Sequence, residues 1–429
     1  MMSLEESQES KYAVWIDRIL WILAALLPVV IIPINVGDIF DTIKGPLLVA
    51  AGISLLSLLI LEKKWDNTLI SWLLLSYVFL QLLASIFAYD PLLAFAGETH
   101  RAGRFEGFAT LLIYAILFYA AKNYMNPTKK KVITTFSVLS LVSVYALIQY
   151  FQYDPLVIYK HFRSMIFSTI GNQNFLGSLV IMLTVLALGL FIYFKKWYYG
   201  LFFSLFFSTL LVAQTRSCWL SFAFILVLIT FSVVIFHRDK WDSFLVAILL
   251  MVAISVGLNK SKKNALSTRS GTIKKELAMT NEYGGSGRLK IWEITWLVIK
   301  DHPVLGTGPE NLKTVIHAEH KKEINAYYRV KGTSVDKAHN EFLHVAAVTG
   351  IPSLIIYLTM VMVILIQNGK FLFRKNVKTL LLLTVLAYLI QAFFNISVIA
   401  VAPIYWILLG ILAQKTEINH QPISTSLNA

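Results

Sequence analysis

The chain has a single cysteine, Cys218, in 429 residues. An intramolecular disulfide and a cysteine metal cluster are therefore both excluded. Charge is scarce as well, at 14% of residues, where a soluble domain carries roughly 25%. Classical motifs are missing too. The GGSG at 284–287 is not GxGxxG and follows no strand, which excludes a Rossmann site. His339, Glu341 and His344 do not make HExxH, so zinc catalysis has no support. Neither an internal repeat nor a coiled-coil heptad is present. Met1 to Ser10 is acidic and no small-residue cleavage site follows, so a signal peptide is not expected.

What the chain has in abundance is apolar sequence, 57% of residues, in blocks about one bilayer long. A spanning helix needs roughly 20 such residues. Twelve blocks stand out, near 19–36, 46–61, 69–88, 107–121, 132–151, 175–194, 198–213, 218–236, 243–258, 351–367, 379–394 and 397–413. The first is expected to bend near Pro28 and Pro33. The fold class predicted is all-α, a polytopic membrane bundle of about twelve transmembrane helices embedded in the lipid bilayer. Its organisation is a bundle over 1–258, a helical loop over 259–350, further spans over 351–413 and a polar tail over 414–429.

The net charge of +14 reports topology rather than nucleic acid, for which no partner role is expected. One set of alternate short loops, from Lys63 and Lys64 through Lys129 to Lys131 and on to Lys378, carries fourteen basic residues. The other set carries six: Lys44, Arg101, Arg104, Lys160, Arg163 and Arg216. The positive-inside rule puts the first set in the cytoplasm, with both termini and the 414–429 tail, and turns the 259–350 loop outward. In that loop the pattern predicts helices over 288–300, about 310–324 and 336–350, the second opened by Pro309. Trp292 and Trp296 suit the lipid headgroups.

Several polar residues near the outward boundary invite chemistry. Arg216, in AQTRSCW, is either a snorkelling helix-end charge or an anion clamp. Arg288 opens a helix after GGSG, as a surface arginine or a second anion contact aided by the helix N-terminus. His339, in DKAHNEFL, is a structural hydrogen-bonder or a general base; His344 is a weaker candidate. Arg101 and Arg104 in ETHRAGRFEGF and Arg163 in HFRSMIF are solvated loop charges, or members of a positive basin suited to a diphosphate.

TRSCWL, GSGRLKIW before DHPVLGTGPENL, and DKAHNEFLHVAAVTGIPSLIIYL together resemble the O-antigen ligase and polymerase superfamily of bacterial membrane glycosyltransferases. STIGNQNFLG and GRFEGF resemble it as well. The resemblance implies a C-type glycosyltransferase-like fold in the bacterial inner membrane, active on the extracytoplasmic face. It implies a glycan donor on a polyprenyl diphosphate such as undecaprenyl diphosphate, a glycan or lipid acceptor, and no metal, nucleotide sugar or other cofactor. By motif, Arg216 and Arg288 match diphosphate-binding arginines and His339 the candidate base, while Arg101, Arg104 and Arg163 match less closely. Ligase and polymerase are not separated by these motifs. A protein O-oligosaccharyltransferase, a flippase or transporter for lipid-linked glycan, and a non-catalytic scaffold are the alternatives.

Overall fold

The structure, a computed structural model, describes residues 10–32, 39–98, 105–154, 165–261, 287–370 and 377–415. Among these the regular structure is helical. In chain order the first ten helices are α1 (Lys11–Leu26), α2 (Asp41–Glu62), α3 (Leu69–Ile86), α4 (Pro91–Ala96), α5 (Phe108–Tyr124), α6 (Lys129–Tyr150), α7 (Gln173–Phe194), α8 (Trp197–Val212), α9 (Arg216–Phe236) and α10 (Trp241–Ser261). Three short helices follow, α11 (Arg288–Asp301), α12 (Leu312–Glu319) and α13 (Lys321–Lys331). The last are α14 (Glu341–Gly369), α15 (Lys378–Ala392) and α16 (Ala402–Leu412). A helix thus coincides in whole or part with each apolar block, and seven are long and apolar enough to cross a membrane. Phe108–Tyr124, Trp197–Val212, Lys378–Ala392 and Ala402–Leu412 are apolar but shorter.

The helices divide by burial. In α7 the apolar window is 89% buried, against 22–39% in the other long helices. A helix apolar all round and closed off all round is a core helix; α7 is that core, packed by α8, α15, α9 and α10. The others keep Leu, Ile and Phe on an outer face, as at Ile53, Phe79, Val227 and Ile366. Close approach to α7 depends on small residues. A Cβ on Gly177 would meet Thr215 Oγ1 at 2.7 Å, so only glycine lets the α8–α9 turn seat there.

The basic loops gather at one end of the bundle. There Lys122 pairs with Asp66, Lys131 with Asp17 at 2.7 Å, and Gln414 Nε2 donates to Ala121 O and Met125 O. Contacts of the opposite end join Lys44 Nζ to Thr169 O, Tyr150 Oη to Leu258 O and Asn395 Nδ2 to Asn174 O. The alternation of loops inferred from charge is therefore an alternation in space.

On this second end sits a small helical cap with its own core of Ile291, Ile294, Val298, Leu312, Val315, Ile316, Ile324 and Tyr327. Its seat is a break in α14. Gly350 has φ 87° and ψ 162°, a conformation that interrupts the helix and exposes the carbonyls before it. Thr307 N–H donates to Ala347 O and Gly308 N–H to Val348 O, both at 2.9 Å, and Ile351 N–H reaches Pro303 O at 2.9 Å. The GTGP turn thus takes up carbonyls that an unbroken helix would have used itself. Asn311 fixes the same turn to the loop after α3, accepting from Asp90 N–H and donating to Asp90 O.

A Cβ on Gly350 would fall 1.9 Å from Val304 O. Gly350→Ala is therefore expected to destabilise the protein by about 3 kcal/mol, from backbone strain and that collision together. Thermal unfolding of the purified variant in detergent checks this; an unchanged midpoint would refute the account of the cap's seat.

Three expected boundaries differ. The first helix is Lys11–Leu26 rather than 19–36, and it ends before Pro28 instead of bending there. Its Asp17 is paired with Lys131, so the polar start is not a barrier to helix. The helix expected over 310–324 starts only at Leu312, because Glu310 takes φ 61° and Asn311 serves the Asp90 contact, and it is broken into two helices at His320, whose φ -116° and ψ 42° are not helical. The helix expected over 336–350 begins only at Glu341, since Lys337 is drawn into a buried ion cluster and Asn340 caps the start.

Candidate functional site

Three helix N-termini meet around the C-terminal end of α15. Arg216 is the first residue of α9 and Arg288 the first of α11. Glu341 opens α14 one residue after its cap, Asn340, whose side chain accepts from Leu343 N–H at 3.1 Å. Helix α15 packs against both α9 and α14, and α11 packs on α14.

Specific contacts tie these ends together. Ser221 Oγ of α9 donates to Ala387 O of α15 at 2.6 Å. Trp292, one turn after Arg288, lies tilted against Phe394 with ring centroids 6.2 Å apart. Phe342 of α14 packs on Phe393 at 4.8 Å, and Tyr388 Oη donates to Glu341 Oε2 at 2.9 Å. Arg216 and Arg288 each open a helix whose early turns reach this end of α15, through Ser221 and Trp292 respectively. The two arginines thus belong to one locality. Both are partly exposed. Trp292 packs on Phe394, while Trp296 is exposed.

The turn before Arg216 is built for its position. Gln214 takes φ 52°, and Thr215 Oγ1 donates to Gln173 O at 3.0 Å, which fixes the start of α9 on the start of α7. Below it runs a buried polar seam. Asn395 Nδ2 donates to Ser178 Oγ at 2.7 Å, and Ser178 Oγ donates to Gln391 Oε1 at 2.9 Å. Sequence reading noticed Asn174 only within its motif and missed Gln391 and Asn395. Polar amides inside an apolar block were the available signal.

His339 is fixed from both sides. Lys337, 3% exposed, donates to Glu310 Oε1 at 2.6 Å and to Glu106 Oε2 at 3.4 Å; both carboxylates are 6% exposed. Ala338 is buried in the cap core, and Asn340 is the helix cap. Between these anchors His339 takes φ 48°, uncommon for a residue other than glycine. A partly exposed imidazole held at an unfavourable backbone angle by its neighbours is a pattern found at active sites. Glu106, Glu310 and Lys337 were not singled out in the sequence. Their pairing spans 231 positions from Glu106 to Lys337, beyond any local pattern.

Arg101, Arg104 and Arg163 lie outside the described residues. His344 is one turn into α14, and its N–H donates to Asn340 O.

Fold and helix character together define a multi-pass helical membrane protein. Residues 200–358 match the family model described as O-antigen ligase, so this segment of the chain is similar to that family. The matched segment contains Arg216, Arg288 and His339, and ends short of Arg101, Arg104 and Arg163. No curated protein matches the chain.

Proposed function

We propose that the protein is a metal-independent, inverting membrane glycosyltransferase. It moves a glycan from a polyprenyl diphosphate carrier to an acceptor hydroxyl outside the cytoplasm, as an O-antigen ligase or a surface-polysaccharide polymerase. One observation supports this reading: the first residues of α9 and α11 are both arginines, and the early turns of both helices, like that of α14 just after the His339 loop, pack against the C-terminal end of α15 and the residues that follow it.

The donor diphosphate binds Arg216 and Arg288. Guanidinium forks suit phosphate oxygens, and the free N–H groups of the two helix N-termini add to the positive potential. His339 accepts the proton of the acceptor hydroxyl as that oxygen attacks C1 of the donor sugar. The C1–O bond to phosphate breaks with inversion, and its electron pair leaves on the diphosphate, where the arginines stabilise the growing charge. Arg101, Arg104 and Arg163, matched by motif alone, are further candidates for contacts to the donor's charge.

The test is purified protein in detergent, a defined polyprenyl diphosphate glycan and candidate acceptors, with products read by mass. Transfer with release of the lipid diphosphate is expected. Binding of the donor with no transfer to any acceptor would favour a flippase and overturn the reading.

A further inference from the structure

A second cluster of side chains lies at the far end of α11, away from Arg288. Helix α11 ends at Asp301 with His302 next, and α12 ends at Glu319 with His320 next. Each helix thus presents a carboxylate and an imidazole at its C-terminal end. They are crossed: His302 Nε2 is 2.8 Å from Glu319 Oε2, and His320 Nε2 is 3.2 Å from Asp301 Oδ2. The ligand atoms of Asp301, Glu319 and His320 all lie within 4.8 Å of one another.

Two features point beyond simple ion pairs. The Nε2 of His320 is buried on a side chain 11% exposed, and the Asp301 carboxylate beside it lies outside hydrogen-bond geometry. Two carboxylates also converge at the negative ends of two helix dipoles, a repulsive arrangement that a cation would neutralise.

We infer that Asp301, Glu319 and His320 form a divalent transition-metal site, best suited to zinc, with His302 orienting Glu319 from outside it. One imidazole and two carboxylates, with water in the fourth position, are a zinc donor set. Tetrahedral coordination at about 2.1 Å would bring the donors roughly 3.4 Å apart, a small closure from the present spacing. Helix α11 has fourteen residues, so the site stands about 21 Å along the axis from Arg288. The metal braces the cap by joining the ends of α11 and α12 and takes no part in sugar transfer.

The experiment uses the full-length protein in detergent, stripped with a chelator and titrated with Zn²⁺ against a chromophoric competitor. One equivalent per chain and a raised thermal midpoint are expected. The double variants H302Q/H320Q and D301N/E319Q, each admitted only if it elutes as a monodisperse peak, are expected to bind roughly 100-fold more weakly or worse. They should also lose the thermal shift. Two variant pairs keep the test open if one fails to fold. Absence of saturable binding in the wild type would overturn the site. Equal binding by wild type and variants would do the same, showing adventitious surface binding only.

Discussion

His339→Asn is expected to lower glycan transfer by roughly 10²- to 10⁴-fold, the range over which a general base contributes to turnover. Asparagine is the informative replacement. It tolerates the left-handed backbone that His339 adopts at φ 48°, so the loop between Lys337 and Asn340 keeps its shape while the proton acceptor is lost. Membrane level and thermal midpoint should therefore stay near wild type. His339→Ala removes the same base but strains the backbone at that angle, so it should lose some stability in addition. A His339→Asn variant that transfers glycan at a near-normal rate would remove His339 from the role of base. Acceptor hydroxyls would then have to be activated by another group at this end of α15, and Glu341, held by Tyr388, is the adjacent carboxylate to test.

The bundle was more legible in the sequence than the site. Apolar blocks announce helices because lipid leaves the backbone no other way to satisfy its hydrogen bonds. Their boundaries failed where tertiary pairing overrode local pattern. The apolar block begins near residue 19, but the first helix starts at Lys11, with Asp17 paired to Lys131. DKAHN looked helical by spacing, but Lys337 is pulled toward Glu106 and Glu310, and Asn340 is used as a cap. The same long-range pairing hid part of the site. Arg216, Arg288 and His339 were visible because each is a polar residue in a motif beside apolar sequence. Nothing local marked Glu106 or Lys337 as the support that fixes His339, since they meet only in the folded chain. Arg101, Arg104 and Arg163 were as visible as the others in the sequence, and they lie outside both the described residues and the family match.

Arg216→Ala and Arg288→Ala are each expected to cost roughly 10²- to 10³-fold in turnover, the loss seen when one electrostatic stabiliser of a developing anion is removed. The two effects should not multiply. If both guanidiniums hold one diphosphate, removing the first already disorders the group that the second grips, so the double variant falls short of the product. Lysine should restore part of the rate at either position, because it keeps the charge and loses the bidentate fork. Stability should change little. Each arginine is the first residue of its helix, where the positive dipole end disfavours a cation by about 0.3–1 kcal/mol. Without bound anion, the alanine variants gain this relief and lose the contacts each arginine makes, so they should unfold close to the wild-type temperature. Addition of the lipid diphosphate should raise the wild-type midpoint and leave the double variant unmoved. Paired measurement of transfer rate and thermal midpoint checks both halves. Alanine variants that lose stability and activity together, with no loss of ligand-induced shift, would assign the arginines to packing instead. At these two helix starts a bound diphosphate would meet both the guanidiniums and the positive dipole ends.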